Sequence, residues 1–302
     1  MKNIYDKSYC SIKINNKLTQ FFKYEEGVLQ GNPLSPILFN IYINDLFDEL
    51  CKVNESPVSL NKKEKIFALM FADDLIILST TEKGLQDSLD KLESYCQKWD
   101  LEVNLKKTKC MIFKKGNRLD NNIFFYQNIL IENVKVFKYL GISINSKGNF
   151  LPSFQDLSNK ANRAIYSLNN KINLKYLSVK VKLKLFDYFI RPILLYGSEV
   201  WLPYISQPSS KWDENVIEKV HLSFLKRVLG VNRSTTNALV RAELGRFSLR
   251  ENCLQRNFNY VKYLKGKDNT SLVRQAFDYE ITNFDKRNNI ISSLAEPNEK
   301  ID

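Results

Sequence analysis

The sequence predicts an α+β chain. Up to about residue 150, short apolar runs of strand character alternate with segments of helical periodicity, which suits an open sheet with helices packed on one face. Beyond that point nearly every apolar pattern has the helical period, and glycine and proline are sparse, at 10 and 8 of 302 residues. A domain boundary near 150 follows, and the length fits about two domains.

The elements are read in order. Residues 11–14 and 17–24 are extended and flank Asn15-Asn16, a hairpin turn signal. Residues 27–36 form a loop that ends in a helix start, with Ser35 as cap and Pro36 at the first helical position, where a missing N–H costs nothing. Leu38, Ile41, Tyr42, Leu46 and Leu50 then share one helical face. After a polar loop, residues 66–78 are the most apolar stretch and read as two short buried strands joined by an acidic turn, Asp73-Asp74. Thr80 or Thr81 caps the next helix, whose core face is Leu85, Leu89, Leu92, Cys96 and Trp99. Short extended segments are expected at 101–104, 110–113 and 129–144, the last bending at residues 138–141. Helices are expected over 157–173, 179–196, 215–229, 234–244 and 250–264, with Gly230 and Gly245 at C-terminal cap positions and a polar tail after about residue 282.

Composition narrows the function. Lys and Arg number 45 against 33 Asp and Glu, a net charge of +12, which favours polyanionic partners and nucleic acid first among them. No apolar run is long enough to span a bilayer and the N-terminus lacks a signal-peptide core, so an intracellular protein without a membrane partner is expected. Five scattered cysteines and one histidine exclude a zinc finger and a disulfide framework. His221 falls in the helical pattern of Ile217, Val220, Phe224 and Val228 and reads as a core residue, not as a catalytic base.

The acidic turn is the feature that most needs explaining. Two adjacent carboxylates inside an apolar hairpin repel and lose hydration unless a cation or a set of donors compensates. A hard divalent cation such as Mg²⁺ takes oxygen ligands and answers that need, while plain turn chemistry with both groups facing water is the alternative.

With its neighbours, the turn resembles a known family. Phe71-Ala72-Asp73-Asp74 is similar to the aspartate-pair hairpin of the reverse transcriptases of non-LTR, LINE-type retrotransposons. Upstream, residues 27–40 match that family's Gly-x-x-Gln-Gly-x-x-x-Ser-Pro-x-Leu-Phe-Asn block. Downstream, Leu101, Asn104, Lys107 and Thr108 match its Leu-x-x-Asn-x-x-Lys-Thr segment, and Phe137-Lys138-Tyr139-Leu140-Gly141 its primer-grip turn. Residues 191–201 and 224–230 resemble the region that follows the polymerase core, so the likeness runs from about residue 5 to 265.

The resemblance implies a partial polymerase palm over 1–150, an antiparallel sheet with helices on one face. Thumb-like helices over 151–204 and a C-terminal helical region with a polar tail over 205–302 would follow. It implies RNA-directed DNA synthesis on an RNA template and DNA primer from deoxynucleoside triphosphates, by two-metal nucleotidyl transfer. Asp73 and Asp74 would hold Mg²⁺, with Mn²⁺ as a substitute, and Lys107 would face the triphosphate or leaving group. Gln30 and Gly31 would line the template and nucleotide site, where a small residue admits the base pair. Phe137, Lys138, Tyr139, Leu140 and Gly141 would hold the primer end. Independently of the family, Lys171, Lys175, Lys180, Lys182 and Lys184 interleave with Tyr166, Tyr176 and Tyr188 in a pattern suited to tracking a nucleic-acid backbone, a merely solvated basic face being the alternative. Tyr196, Gly197 and Trp201 are assigned to packing.

The family's palm also has a third carboxylate, on a strand preceding residues 27–36, and fingers that grip the triphosphate. The sequence begins after both, so catalysis by this chain is expected to be impaired unless a companion chain supplies them. A non-catalytic nucleic-acid-binding remnant of a mobile element is the second reading, and a relic with an exposed apolar sheet the third. Work in the nucleus is implied by the family's target-primed integration.

Overall fold

The computed structural model describes residues 8–23, 27–29, 31–60, 64–113, 122–172, 176–205 and 209–283. Among the site expectations, Gln30 and Lys175 lie outside the described residues. The chain is α+β, with small antiparallel pairs of strands in its first half and helices dominating the second. It divides into two compact units, Met1–Glu102 with Phe125–Gln127, and Val103–Phe124 with Asn128–Asp302.

In the first unit, Asn15 and Asn16 both adopt positive φ, 48° and 64°, and close the hairpin of Lys13–Ile14 and Lys17–Leu18. Asparagine tolerates that conformation better than other side chains, so the turn forms where its sequence placed it. Tyr9–Cys10 and Phe22–Lys23 prolong the ribbon. The following helix spans Ser35–Tyr42, but Ser35 is not its cap. Its hydroxyl turns back and donates to the Leu29 carbonyl at 2.5 Å, while the Asn32 side chain accepts from the Leu34 N–H at 2.9 Å and shapes the turn. A break at residues 43–45 starts a second helix, Leu46–Val53, which packs against Glu82–Lys98. Leu46, Leu50, Leu89, Leu92, Tyr95 and Cys96 are buried, whereas Ile37 and Ile41 on the preceding helix are exposed. Thr81 caps the helix Glu82–Lys98, accepting from the Gly84 N–H at 3.1 Å.

The main core of the second unit includes Ile142, Phe154, Leu157, Phe186, Ile190, Trp201, Trp212 and Leu225, and Val261, Leu264 and Phe277 form a smaller cluster of their own. Residues 103–113 are largely irregular, with a single bridge from Cys110 to Asn133 where short extended segments were expected. Val136–Tyr139 and Ile142–Asn145 form a hairpin that packs on the helix Leu151–Lys171. That helix begins six residues before its expected start, with Pro152 in its first turn.

The expected helix over 179–196 is interrupted. Val179–Leu185 passes into a π-helical turn, Phe186–Ile190, and then into Arg191–Leu194. Pro192 has no N–H to give the Tyr188 carbonyl, and the Arg191 N–H reaches back to Phe186 in a wider turn. The helices Val216–Leu229, Asn237–Glu243, Leu249–Lys265 and Leu272–Asn283 complete the unit. Gly230 ends the first of these at φ 70°, as its position in the sequence predicts.

The first three of those helices are joined through Glu218, which is fully buried. Its Oε2 accepts from the Trp212 indole at 2.9 Å and from the Leu249 N–H at 2.7 Å. Its Oε1 accepts from Arg241 at 2.9 Å and lies 2.9 Å from His221 Nδ1. Burial pushes the carboxyl pKa up, but the donors from His221, Arg241 and Leu249 outweigh it and hold the group below its ordinary value. His221 is a core residue, as its spacing predicts, with its ring stacked on Phe186 at 5.1 Å.

Candidate active site

The aspartate pair sits on the hairpin of Ala68–Phe71 and Asp74–Ile77, paired Ala68 with Ile77 through Phe71 with Asp74. Ala72 and Asp73 are its two-residue turn, and Ala72 takes φ 52°. That left-handed conformation costs a residue with a Cβ about 1–2 kcal/mol, strain of a kind that collects at functional turns. The strand pairing puts Leu69, Phe71, Asp74 and Ile76 on one face and Ala68, Met70, Leu75 and Ile77 on the other. The two short strands were expected to be buried. Instead Ala68 is buried on the second face, while Leu69 and Phe71 are 38% and 61% exposed on the first.

The base of the hairpin is pinned by Asn54, buried at the end of the helix Leu46–Val53, whose amide donates to the Leu78 carbonyl at 2.9 Å. The Asn54 side chain also accepts from the Ser56 N–H at 3.1 Å, and the Thr80 N–H donates to the Ser56 carbonyl at 2.7 Å. Asp73 and Asp74 are thus exposed carboxylates on an anchored ribbon. Neither has an ion-pair or hydrogen-bond partner among the described residues, and no third His, Cys, Asp or Glu there joins them in a metal-holding group. Two carboxylates with open surroundings suit a hard cation that keeps water and phosphate oxygens as further ligands.

In the same unit, Gly31 has φ 85° and is exposed, and among the described residues nothing lies within 4 Å of where a Cβ would stand. That positive φ is one a glycine adopts without steric cost.

The remaining site residues belong to the second unit. Lys107 is exposed in a turn held by Asn104, whose carbonyl accepts from the Lys107 N–H at 3.0 Å and from the Thr108 N–H at 2.9 Å. Its ammonium has no carboxylate partner among the described residues, unlike Lys109, which pairs with Glu132 at 2.7 Å. Lys171, Lys180 and Lys184 are exposed and Lys182 half-buried, with Tyr166, Tyr176 and Tyr188 exposed beside them in sequence.

Residues 137–141 form the closed end of a hairpin paired Phe137 with Ile144, Lys138 with Ser143 and Tyr139 with Ile142. Leu140 and Gly141 make the two-residue turn, both at positive φ, 46° and 84°. The Ser153 hydroxyl accepts from the Ser143 N–H at 2.7 Å and donates to the Ser143 carbonyl at 2.8 Å, fastening the strand to the helix Leu151–Lys171. Lys138 pairs with Asp156 of that helix at 2.6 Å, and Lys160 joins at 3.1 Å. The Lys138 ammonium beside Asp156 holds its carboxyl below the ordinary value, and Asp156 in turn raises Lys138.

Of the three residues assigned to packing, Gly197 and Trp201 are packed: Trp201 is fully buried, and a Cβ on Gly197 would come within 2.6 Å of Ile142 Cδ1. Tyr196 is 48% exposed, and its hydroxyl donates to the Leu140 carbonyl at 2.8 Å. Sequence reasoning missed this contact because the partners are 56 residues apart. A tyrosine beside a glycine that must approach a strand closely was the available signal.

Residues 1–144 match the family model described as reverse transcriptase (RNA-dependent DNA polymerase). The likeness is to the reverse transcriptases of non-LTR retrotransposons. The Pol polyprotein of the type-1 retrotransposable element R2 of Nasonia vitripennis is 30% identical over 154 residues, which is 48% of this chain and 15% of that protein. The probable RNA-directed DNA polymerase from transposon BS of Drosophila melanogaster is 24% identical over 212 residues, 67% of this chain and 22% of that protein. The RNA-directed DNA polymerase from mobile element jockey of the same fly is 25% identical over 183 residues, 58% of this chain and 19% of that protein. The match thus spans about a fifth or less of each of these relatives. No described helix is long and apolar enough to cross a membrane.

Proposed function

We propose that this chain carries the aspartate-pair palm, primer-grip turn and thumb of an RNA-directed DNA polymerase acting on an RNA template, a DNA primer and deoxynucleoside triphosphates. The exposed hairpin end bearing Asp73, in the turn, and Asp74, at the start of the returning strand, is the observation that carries the reading. Asp73 and Asp74 hold Mg²⁺ or Mn²⁺, which when bound supplies charge neutralisation and acidifies the primer hydroxyl. Gly31 leaves room for the templating pair, residues 137–141 seat the primer end, and Lys107 faces the polyphosphate. Palm over 1–150, thumb over 151–204 and a helical region over 205–302 divide these tasks, and the work is nuclear.

Among the described residues no third carboxylate joins the pair, and a further ligand would strengthen its hold on the metal. Primer extension on an RNA template, in Mg²⁺ and in Mn²⁺, tests the reading, with the Asp73→Ala, Asp74→Ala double variant as control. Slow extension that the double variant abolishes supports it. Extension that the double variant retains contradicts it.

The exposed Lys171, Lys180 and Lys184 favour a second reading, a nucleic-acid-binding protein without catalysis. It expects salt-sensitive binding of an RNA–DNA hybrid, unchanged by Asp73→Ala, and no extension by folded protein.

A further inference from the structure

The Leu140–Gly141 turn is held by more than its own hairpin. In a two-residue turn the flanking residues are fixed by ladder hydrogen bonds, but the peptide plane between the two central residues is not, and its orientation is what separates one turn type from its neighbour. Here that plane carries the Leu140 carbonyl, and the Tyr196 hydroxyl donates to it at 2.8 Å. The Tyr196 ring also lies against the next residue of the turn, so that a Cβ on Gly141 would meet Cε1 at 3.0 Å and the hydroxyl oxygen at 3.3 Å.

Tyr196 is itself held in place. Its carbonyl accepts from the buried Trp201 indole at 2.9 Å, and the next residue, Gly197, turns at φ 67° with its Cα seated on Ile142, the first residue after the turn. On the other flank the hairpin is tied to the helix Leu151–Lys171 through Lys138 and Asp156 at 2.6 Å. Such support of a binding element by residues whose own positions are locked is what preorganisation requires.

A residue that served packing alone would bury its ring. Tyr196 keeps almost half its surface exposed and spends its hydroxyl on the carbonyl of an exposed turn. We propose that Tyr196 is a positioning residue for the primer 3′ end, fixing the central peptide of the Leu140–Gly141 turn so that its backbone meets the strand end in one orientation. The inference rests on the reading of residues 137–141 as the primer grip.

The test is fluorescence anisotropy with two labelled RNA–DNA hybrids of equal length, one with a recessed DNA 3′ end and one blunt, titrated with the full chain and with Tyr196→Phe. The variant keeps the ring against Gly141 and removes only the hydroxyl. The wild-type chain is expected to prefer the recessed end, and Tyr196→Phe to lose about three- to tenfold of that preference, the range that one hydrogen bond governs, with blunt-end affinity unchanged. Hydrogen exchange at Gly141 and Ile142 is expected to quicken in the variant. If Tyr196→Phe keeps the full preference, or weakens both hybrids equally, the positioning role is overturned while the primer-grip reading stands. If the wild-type chain shows no preference for the recessed end, that reading fails and the inference falls with it. Tyr196→Ala, which removes the ring as well, is expected to lose the preference at least as fully, and its retention there would overturn the role even if Tyr196→Phe proved unstable.

Discussion

Replacing Glu218 by glutamine changes one oxygen for an amide nitrogen in a site with no room for a second donor. Glu218 is fully buried and faces four groups, Trp212 Nε1 and the Leu249 N–H on Oε2, Arg241 and His221 Nδ1 on Oε1. If the new NH₂ takes the Oε2 side, two buried N–H donors lose their acceptor. If it takes the Oε1 side, it points at the Arg241 guanidinium. An orphaned buried donor costs about 1–3 kcal/mol, and breaking a buried ion pair about 3–5 kcal/mol when the remaining charge is left alone. Arg241 is not left alone, since Asp213 also pairs with it, so the loss is set at about 2–4 kcal/mol. For a unit of this size that lowers Tm by about 4–16 °C.

Urea or thermal unfolding followed by tryptophan fluorescence is a suitable assay, because Trp201 and Trp212 are both buried in this core. The sign of the pH dependence follows from the lowered pKa. The stabilisation is fully present above the ordinary carboxylate value of 4.5 and is lost as pH falls through the lower folded value, so the gap between wild type and Glu218→Gln narrows as the pH falls below that ordinary value. A loss under about 1 kcal/mol at neutral pH, or a gap that widens in acid, would refute the hub.

Other changes follow from the same geometry. Gly197→Ala puts a Cβ 2.6 Å from Ile142 Cδ1 at positive φ, and is expected to destabilise by about 2–4 kcal/mol in the same fluorescence melt. Ala72→Gly relieves a φ of 52° beside the aspartates and is expected to leave stability unchanged or raise it by up to about 1 kcal/mol, read by differential scanning calorimetry. Asp187→Asn takes the charge and one of the two acceptors from the contacts of Arg246 at 2.9 and 2.8 Å with the π-helical turn, and a loss of about 1–2 kcal/mol is expected in urea. Lys180→Ala with Lys184→Ala removes two exposed cations, so the slope of log affinity for an RNA–DNA hybrid against log salt should become shallower by about 2.

Local chemistry was the legible part of the sequence. Asn15-Asn16, Thr81 and Gly230 each act within a few residues of their own position, and their turn and caps form where the sequence puts them. Ser35 misled because two acceptors competed for one loop. Asn32 accepts from the Leu34 N–H and leaves the serine hydroxyl to the Leu29 carbonyl. The π-helical turn was encoded by Pro192 but masked by an unbroken apolar pattern from Leu183 to Leu195. His221 was read as core, while the buried charge three residues before it, Glu218, went unremarked because its partners come from three other segments. The aspartate pair, Gly31 and the 138–141 bend were legible from motif and spacing. The Tyr196 contact was not, since it depends on how a helix end meets a hairpin 56 residues earlier.

If Asp73 and Asp74 hold a divalent cation, Mn²⁺ binding depends on both carboxylates. Electron paramagnetic resonance of Mn²⁺, titrated into the protein with a recessed RNA–DNA hybrid present, measures that directly by the loss of free-ion signal. Bound Mn²⁺ that disappears in the Asp73→Asn, Asp74→Asn variant, with hybrid affinity retained, is the predicted result. Equal Mn²⁺ binding by wild type and variant would contradict the account and leave the pair as a solvated turn.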